Sequence, residues 1–182
     1  MTQISATEID GVRVAKAVST SDTRGTFIKI DPLKELESTL GSVAISLNPN
    51  LGTIRGLHFQ IEPFAEEKIV VCIQGAIFDV ILDIRPQSKT FGRWAILELS
   101  TDSELQLYLP KGIAHGFQTL KSDTIIQYCL TSNYSRESAF SINPFFDIDI
   151  NWPLKEFSIS DRDANGQSFS DAAKKYAQAL KK

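Results

Sequence analysis

The sequence predicts an all-β fold on three observations: a succession of short β-type runs, turn residues between them at regular spacing, and period-two alternation of side chains within the runs. The runs are 43–47, 53–59, 68–73, 76–84, 94–99, 106–109, 114–120 and 124–130. Between them lie Asn48-Pro-Asn-Leu-Gly, Gln74-Gly, Arg85-Pro-Gln-Ser, Pro110-Lys-Gly and Lys121-Ser-Asp, residues that supply the backbone geometries of tight turns. Strands this short and this evenly spaced predict a sandwich or a barrel.

Within 76–84, Phe78, Val80, Leu82 and Ile84 share one face, and Ile77, Asp79, Ile81 and Asp83 share the other. Two acids therefore point the same way. They belong either to a solvated face or to a barrel interior in which Asp79 or Asp83 orients Arg or His side chains. Helix is a minor component. A short candidate spans 33–38, and a better one follows Ser170, which can cap it, with Ala173, Tyr176, Ala177 and Leu180 forming an apolar stripe against the barrel exterior. No repeat, low-complexity tract or linker divides the chain, and 1–182 is expected to form a single domain.

The composition, 42% hydrophobic and 23% charged, is that of an ordinary globular protein. A formal net charge of -3 argues against a general nucleic-acid or anionic-membrane binder, which needs a basic face. Cys72 and Cys129 sit in apolar runs, as free buried thiols do in a reducing compartment. The first ten residues have neither a basic nor an apolar leader region, and no window approaches the roughly 18 apolar residues of a membrane span. The expectation is a soluble, cytoplasmic protein.

The chain has only two histidines, each in a glycine-flanked segment: Arg55-Gly-Leu-His58-Phe-Gln and Pro110-Lys-Gly-Ile-Ala-His115-Gly-Phe. Imidazole takes or gives a proton near neutrality, its unperturbed pKa being about 6.5, so two such segments suggest one reactive pocket. Arg55 lies three residues before His58, and Lys68 opens the next run. Arginine offers a planar fork for phosphate, and lysine a compact charge for a developing oxyanion. Each is also open to simple pairing with Glu62, Glu66 or Glu67. Tyr128, in an otherwise apolar run, is either core filling or, beside an imidazole base, a proton donor.

These residues resemble the cupin-fold nucleotide-sugar epimerases typified by dTDP-4-dehydrorhamnose 3,5-epimerase. The likeness runs through Asp22-Thr-Arg-Gly-Thr-Phe, Arg55-Gly-Leu-His-Phe-Gln, Lys68, Gly75-Ala-Ile-Phe-Asp-Val-Ile-Leu-Asp-Ile-Arg, Ser88-Lys-Thr-Phe-Gly-Arg-Trp, Leu109-Pro-Lys-Gly-Ile-Ala-His-Gly-Phe, Asn151-Trp-Pro and Ile159-Ser-Asp-Arg-Asp. The resemblance implies a jelly-roll barrel with a few short peripheral helices, dimeric, without metal or organic cofactor. It also implies action on a nucleoside-diphosphate 4-keto-6-deoxy sugar, dTDP first among the nucleotides. By position, His58 falls on the proton-abstracting base, Asp163 on the carboxylate paired with it, Tyr128 on the proton donor and Lys68 on the residue beside the 4-keto oxygen. His115 falls on a further sugar-binding position, and Arg24, Arg55 and Arg162 on nucleotide- and phosphate-side contacts. The N-terminal segment through Ile30 is expected to reach a partner and bring Arg24 to its site.

Several family positions are changed. The Gln-x-Asn-x-Ser that precedes the first histidine segment is replaced by Ser42 and Ala44, with Asn48 and Asn50 in a longer loop as candidate substitutes. A family glutamate is Lys29, Asn-Asp-Pro becomes Asn143-Pro, and a doubled tyrosine is Asn133-Tyr134. The base, acid, lysine and aspartate are kept, so the reaction type is expected to hold while the substrate is open. Two rivals stand beside this reading: a metal-dependent cupin, poorly served by His58, Gln60, Glu67 and His115 as ligands, and a non-catalytic sugar-nucleotide binder.

Overall fold

The computed structural model describes residues 6–30 and 39–181. Its strands are β1 (Arg13–Lys16), β2 (Val18–Asp22), β3 (Gly25–Lys29), β4 (Ser42–Asn48), β5 (Thr53–Gln60), β6 (Lys68–Gln74), β7 (Ala76–Asp83), β8 (Trp94–Ser100), β9 (Leu105–Leu109), β10 (Ile113–Thr119), β11 (Thr124–Leu130), β12 (Ala139–Ser141) and β13 (Ser158–Ile159). A four-residue helix α1 (Asp161–Ala164) and the longer α2 (Phe169–Ala179) follow. The expected runs therefore reappear as β4 to β11 with ends shifted by a residue or so.

One sheet runs β1-β9-β6-β11-β4; the other runs β12-β5-β10-β7-β8, with β13 added parallel to β5. All other pairings are antiparallel, and sequence neighbours such as β5 and β6 lie in different sheets. This interleaving is the jelly roll that the resemblance implies. Side chains from both sheets fill the space between them: Val70, Ile77, Ile81, Leu99, Leu107, Leu109, Phe117 and Ile126, joined by Ile9 and Val12 from the N-terminal segment. Burying each such side chain favours the fold by about 1.5–3 kcal/mol.

The alternation in β7 holds. Val80, Leu82 and Ile84 face outward into a second cluster, where Ile142, Ile148, Trp152, Ala172 and Tyr176 cover the sheet. Neither acid is solvated, since Asp79 and Asp83 are both buried. Asp79 accepts from His115, and Asp83 accepts two bonds from the Arg85 guanidinium. The interior reading of that face is the correct one.

The C-terminal helix is capped differently from expectation. Ser168, not Ser170, accepts from the N–H of Asp171, because the helix begins two residues earlier than a Ser170 cap requires, at Phe169. Its covered face is Ala172, Ala173 and Tyr176, while Leu180 stays exposed. The helix expected over 33–38 lies outside the described residues. Both cysteines are free and buried, and burial pushes the Cys72 thiol up to about 11. Among the described residues no helix is long and apolar enough to cross a membrane.

Candidate active site

The site is built where β5 crosses β10. Strict alternation would send Arg55 and His58, three residues apart, to opposite faces. The register shows how both come to face inward: His115 pairs with His58 and Phe117 with Arg55, so two steps on β10 match three on β5. The extra residue is a bulge at Gly56–Leu57, which turns Leu57 and Phe59 to the outer cluster and Arg55, His58 and Gln60 to the interior. Gly56 has φ +114, and a Cβ on it would lie 2.6 Å from Gly116 Cα; a Cβ on Gly116 would lie 2.6 Å from Arg55 O. The glycines flanking the two histidines thus mark a backbone approach that no side chain fits.

His58 and His115 line one cavity of about 330 Å³ between the sheets, with Arg55, Lys68, Tyr128 and Arg162 also in its wall. His58 Nε2 is 2.7 Å from Asp163 Oδ1. Asp163 comes from α1, whose cap is Ser160, and is itself buried. Its carboxylate also accepts from Ser141 Oγ at 2.8 Å and from the N–H of Gly56 at 3.1 Å. Burial alone would raise its pKa, but the bonds from His58, Gly56 and Ser141 outweigh it and hold the carboxyl at about 2. An ionised carboxylate only accepts, so Nε2 carries the proton and the basic lone pair of a neutral ring is at Nδ1.

A second pair lies deeper. His115 Nε2 is 2.7 Å from Asp79 Oδ2, and both side chains are buried. Tyr128, on β11 of the other sheet, sets its ring edge-on to His115 with centroids 6.2 Å apart. Burial raises the phenol pKa, the charge of Asp79 raises it further, and Arg55 works against both. The hydroxyl is therefore held protonated. An imidazole base on one sheet and a phenol on the facing sheet can serve opposite faces of a bound ring.

Lys68 opens β6 at the cavity wall and is buried, with Nζ 3.2 Å from Glu66 Oε1. The pairing considered for it with a neighbouring glutamate thus exists, but inside the cavity; Glu62 pairs instead with Lys111. Arg55 Nε donates to Asn48 Oδ1 at 2.7 Å. Asn48 is buried, and its amide nitrogen donates to the carbonyls of Ser46 and Thr124. It stands behind Arg55 and outside the cavity wall. Asn50 is exposed in the β4–β5 loop, with its carbonyl accepting from Thr53 and Thr119. Ser46 lines the cavity directly.

Arg162 sits at the mouth, donating to Tyr134 Oη at 3.3 Å and to the carbonyl of Ala139 at 3.1 Å. Arg24 and Lys29 are not gathered into this cavity. They lie on the β2–β3 hairpin, every residue of whose strands is exposed, and Arg24 pairs with Asp22 at 2.6 Å. Among the described residues, no three or more His, Cys, Asp or Glu side chains are arranged to hold a metal. Each histidine directs Nε2 at a carboxylate.

Sequence reasoning did not single out Ser141, the Gly56 N–H or Gln60 as supports of the site. Ser141 has no local signature, since it reaches Asp163 only because β12 pairs with β5 beside His58.

A sequence model described as dTDP-4-dehydrorhamnose 3,5-epimerase matches residues 6–171. The dTDP-4-dehydrorhamnose 3,5-epimerase of Sinorhizobium fredii is 39% identical over 169 residues, covering 88% of this chain and 86% of that protein. Among solved structures, the dTDP-6-deoxy-D-glucose-3,5-epimerase of Legionella pneumophila, in complex with dTDP-4-keto-L-rhamnose, is 32% identical. It superposes with a TM-score of 0.84 over 91% of this chain and 92% of its own. A 3'-monoepimerase from Streptomyces bikiniensis, in complex with dTDP-quinovose, is 28% identical with a TM-score of 0.85 over 100% of this chain and 96% of its own. With the family model spanning most of its length, this chain belongs to the dTDP-4-dehydrorhamnose 3,5-epimerase family.

Proposed function

We propose that the chain is a cofactor-independent epimerase that inverts C3, C5 or both of a dTDP-4-keto-6-deoxy hexose. The observation that carries this reading is the placement of the His58–Asp163 pair and of Tyr128 on facing sheets of one cavity, with a buried ammonium in its wall. A proton α to a ketone becomes removable when the enolate oxygen is stabilised as its charge develops. Lys68 supplies that charge. His58 takes the proton at Nδ1 from one face of the sugar, Asp163 holds the resulting imidazolium, and Tyr128 returns a proton to the other face, which inverts the carbon. Arg55 and Arg162 take the diphosphate side, and His115, fixed by Asp79, positions the sugar. The substrate's own ketone provides the electron sink, so no redox step is needed.

The working unit in this proposal is a homodimer. Val43, Ile45 and Leu47 form an exposed apolar row on β4, an edge strand, with relative exposures of 56%, 59% and 64%. Phe27 on the hairpin is equally uncovered at 72%. Such rows and open edges are what a second copy covers. A partner's hairpin would then bring Arg24 and Lys29 to the nucleotide side of the site.

The test is solvent exchange. The protein is incubated in heavy water with dTDP-4-keto-6-deoxyglucose and followed by NMR; deuterium at C3, C5 or both is expected, and its position names the reaction. His58→Ala is expected to abolish exchange. Binding of the sugar nucleotide without exchange would favour the non-catalytic binder, and near-normal turnover in His58→Ala would remove His58 as the base.

A further inference from the structure

Glu66 is the one carboxylate among the described residues lining the cavity, where it stands with the basic side chains Arg55, Lys68 and Arg162. Its side chain is only 11% exposed. One oxygen faces the Lys68 ammonium at 3.2 Å, and the other accepts from Gln60 Nε2 at 2.9 Å. Gln60 is in turn held by the loop after β11, since its Nε2 also donates to the carbonyl of Asn133 and its Oε1 accepts from the N–H of Ser135. That loop carries Tyr134, which accepts from Arg162 next to Asp163. Polar contacts joined through the backbone of that loop therefore link the lysine to α1, which carries the carboxylate paired with His58.

A lysine side chain is a flexible four-carbon stem ending in a strongly hydrated point charge, and it is costly to bury unless paired and hydrogen-bonded. A charge that stabilises an enolate contributes most when it is already in place as the enolate forms. We infer that Glu66 is a positioning residue for epimerisation: it fixes the Lys68 ammonium at the cavity wall, and through Gln60 it ties that position to the loop bearing Tyr134. This rests on the epimerase reading of the site. Glu66 is not assigned any proton transfer of its own.

The test uses the full chain and the exchange assay, with single-turnover measurements at stoichiometric enzyme where rates are low. Glu66→Gln keeps the side-chain length and an oxygen for Gln60 but removes the charge facing Lys68. We expect kcat to fall about tenfold with KM within about twofold of wild type. Glu66→Asp, which keeps the charge, is expected to recover at least half of that loss on a logarithmic scale. In a Lys68→Met background, Glu66→Gln is expected to cost nothing further, because the two residues act through one interaction. The same loss in both backgrounds, no loss in wild type, or no recovery in Glu66→Asp would each overturn the inference. Should Lys68→Met fall below detection, the Glu66→Asp comparison decides. A wild-type protein that does not exchange refutes the epimerase reading, whereas an exchanging wild type beside a fully active Glu66→Gln refutes only the role of Glu66.

Discussion

Replacing Asp163 by Asn tests the orientation of the proposed base, His58, most directly. The carboxylate accepts from His58, Ser141 and Gly56, all within 3.1 Å. An amide has one oxygen where the carboxylate has two, so at least one of these donors meets an N–H. If the amide nitrogen faces His58, the ring must present Nε2 as acceptor and Nδ1–H to the cavity, the wrong tautomer for a base. Loss of the matching carboxylate in other imidazole-carboxylate sites costs on the order of 10⁴ in kcat, and a fall of about 10³–10⁴ is expected here. Stability offers a second, independent measure. The carboxyl sits at about 2, below its ordinary 3.8, so its interactions favour the folded state by about 2 kcal/mol near neutrality. That contribution is fully present above pH 3.8 and is lost as pH falls toward 2. Urea or thermal unfolding of Asp163→Asn should therefore show a deficit of about 2 kcal/mol at pH 7, roughly 4–8 °C in midpoint, that narrows between pH 4 and pH 2. A variant within tenfold of wild-type turnover, or a deficit independent of pH over that range, would refute the assigned pairing.

Tyr128→Phe removes the donor but leaves the base and Lys68, so epimerisation is expected to fall by about 10²–10³ while deuterium still enters the substrate with its configuration retained; unimpaired inversion measured by NMR would exclude the phenol as donor. Gly116→Ala places a methyl 2.6 Å from Arg55 O and 2.7 Å from Leu57, and a loss of about 2 kcal/mol or more is expected in denaturant titration, with a near-neutral result contradicting the tight β5–β10 crossing. Ile45→Lys puts a charge in the middle of the exposed β4 row, and if the proposed homodimer uses that row, sedimentation should show a dimeric wild type and a monomeric variant; a dimeric variant would place the interface elsewhere.

Much of this architecture is legible in the residue pattern because β4 to β11 are bounded by strong turn chemistry and are rich in β-branched and other apolar residues. The parts that escape such reading have weak local signals. β2, Val-Ser-Thr-Ser-Asp, is polar and wholly exposed, and β13 is two residues long, so neither carries an apolar face to betray it. Ser170 precedes the apolar stripe and so reads as the helix cap, yet Ser168 has an aspartate at the third position beyond it, and that pair closes the first turn. The location of Arg55 is a subtler case. Alternation alone turns it away from His58, and only the one-residue bulge, signalled by Gly56, brings both into the cavity. Asp163 is the least visible of all. Ser160-Asp-Arg-Asp163 reads locally as a capping pair, and Ser160 does cap α1, but the Asp163 carboxylate is spent on His58, 105 residues away in the chain. No local rule predicts that contact.

The two histidine pairs, so alike in geometry, differ in what reaches them, and this determines what solvent exchange can report. His58 is 42% exposed at the side chain with its carboxylate shielded behind it, whereas His115 is 5% exposed above a fully buried Asp79. A proton taken by His58 sits on a ring open to the cavity mouth and can trade with bulk water before it is returned. A proton taken by His115 would be sealed in, and whenever the step reverses on the same face it would return to the starting sugar largely unexchanged. Rapid loss of substrate hydrogen to solvent therefore discriminates between them in a way that turnover alone does not. If inverted product forms while the recovered starting sugar keeps its original hydrogen, the buried pair must carry the proton, and His58 would become the positioning residue instead.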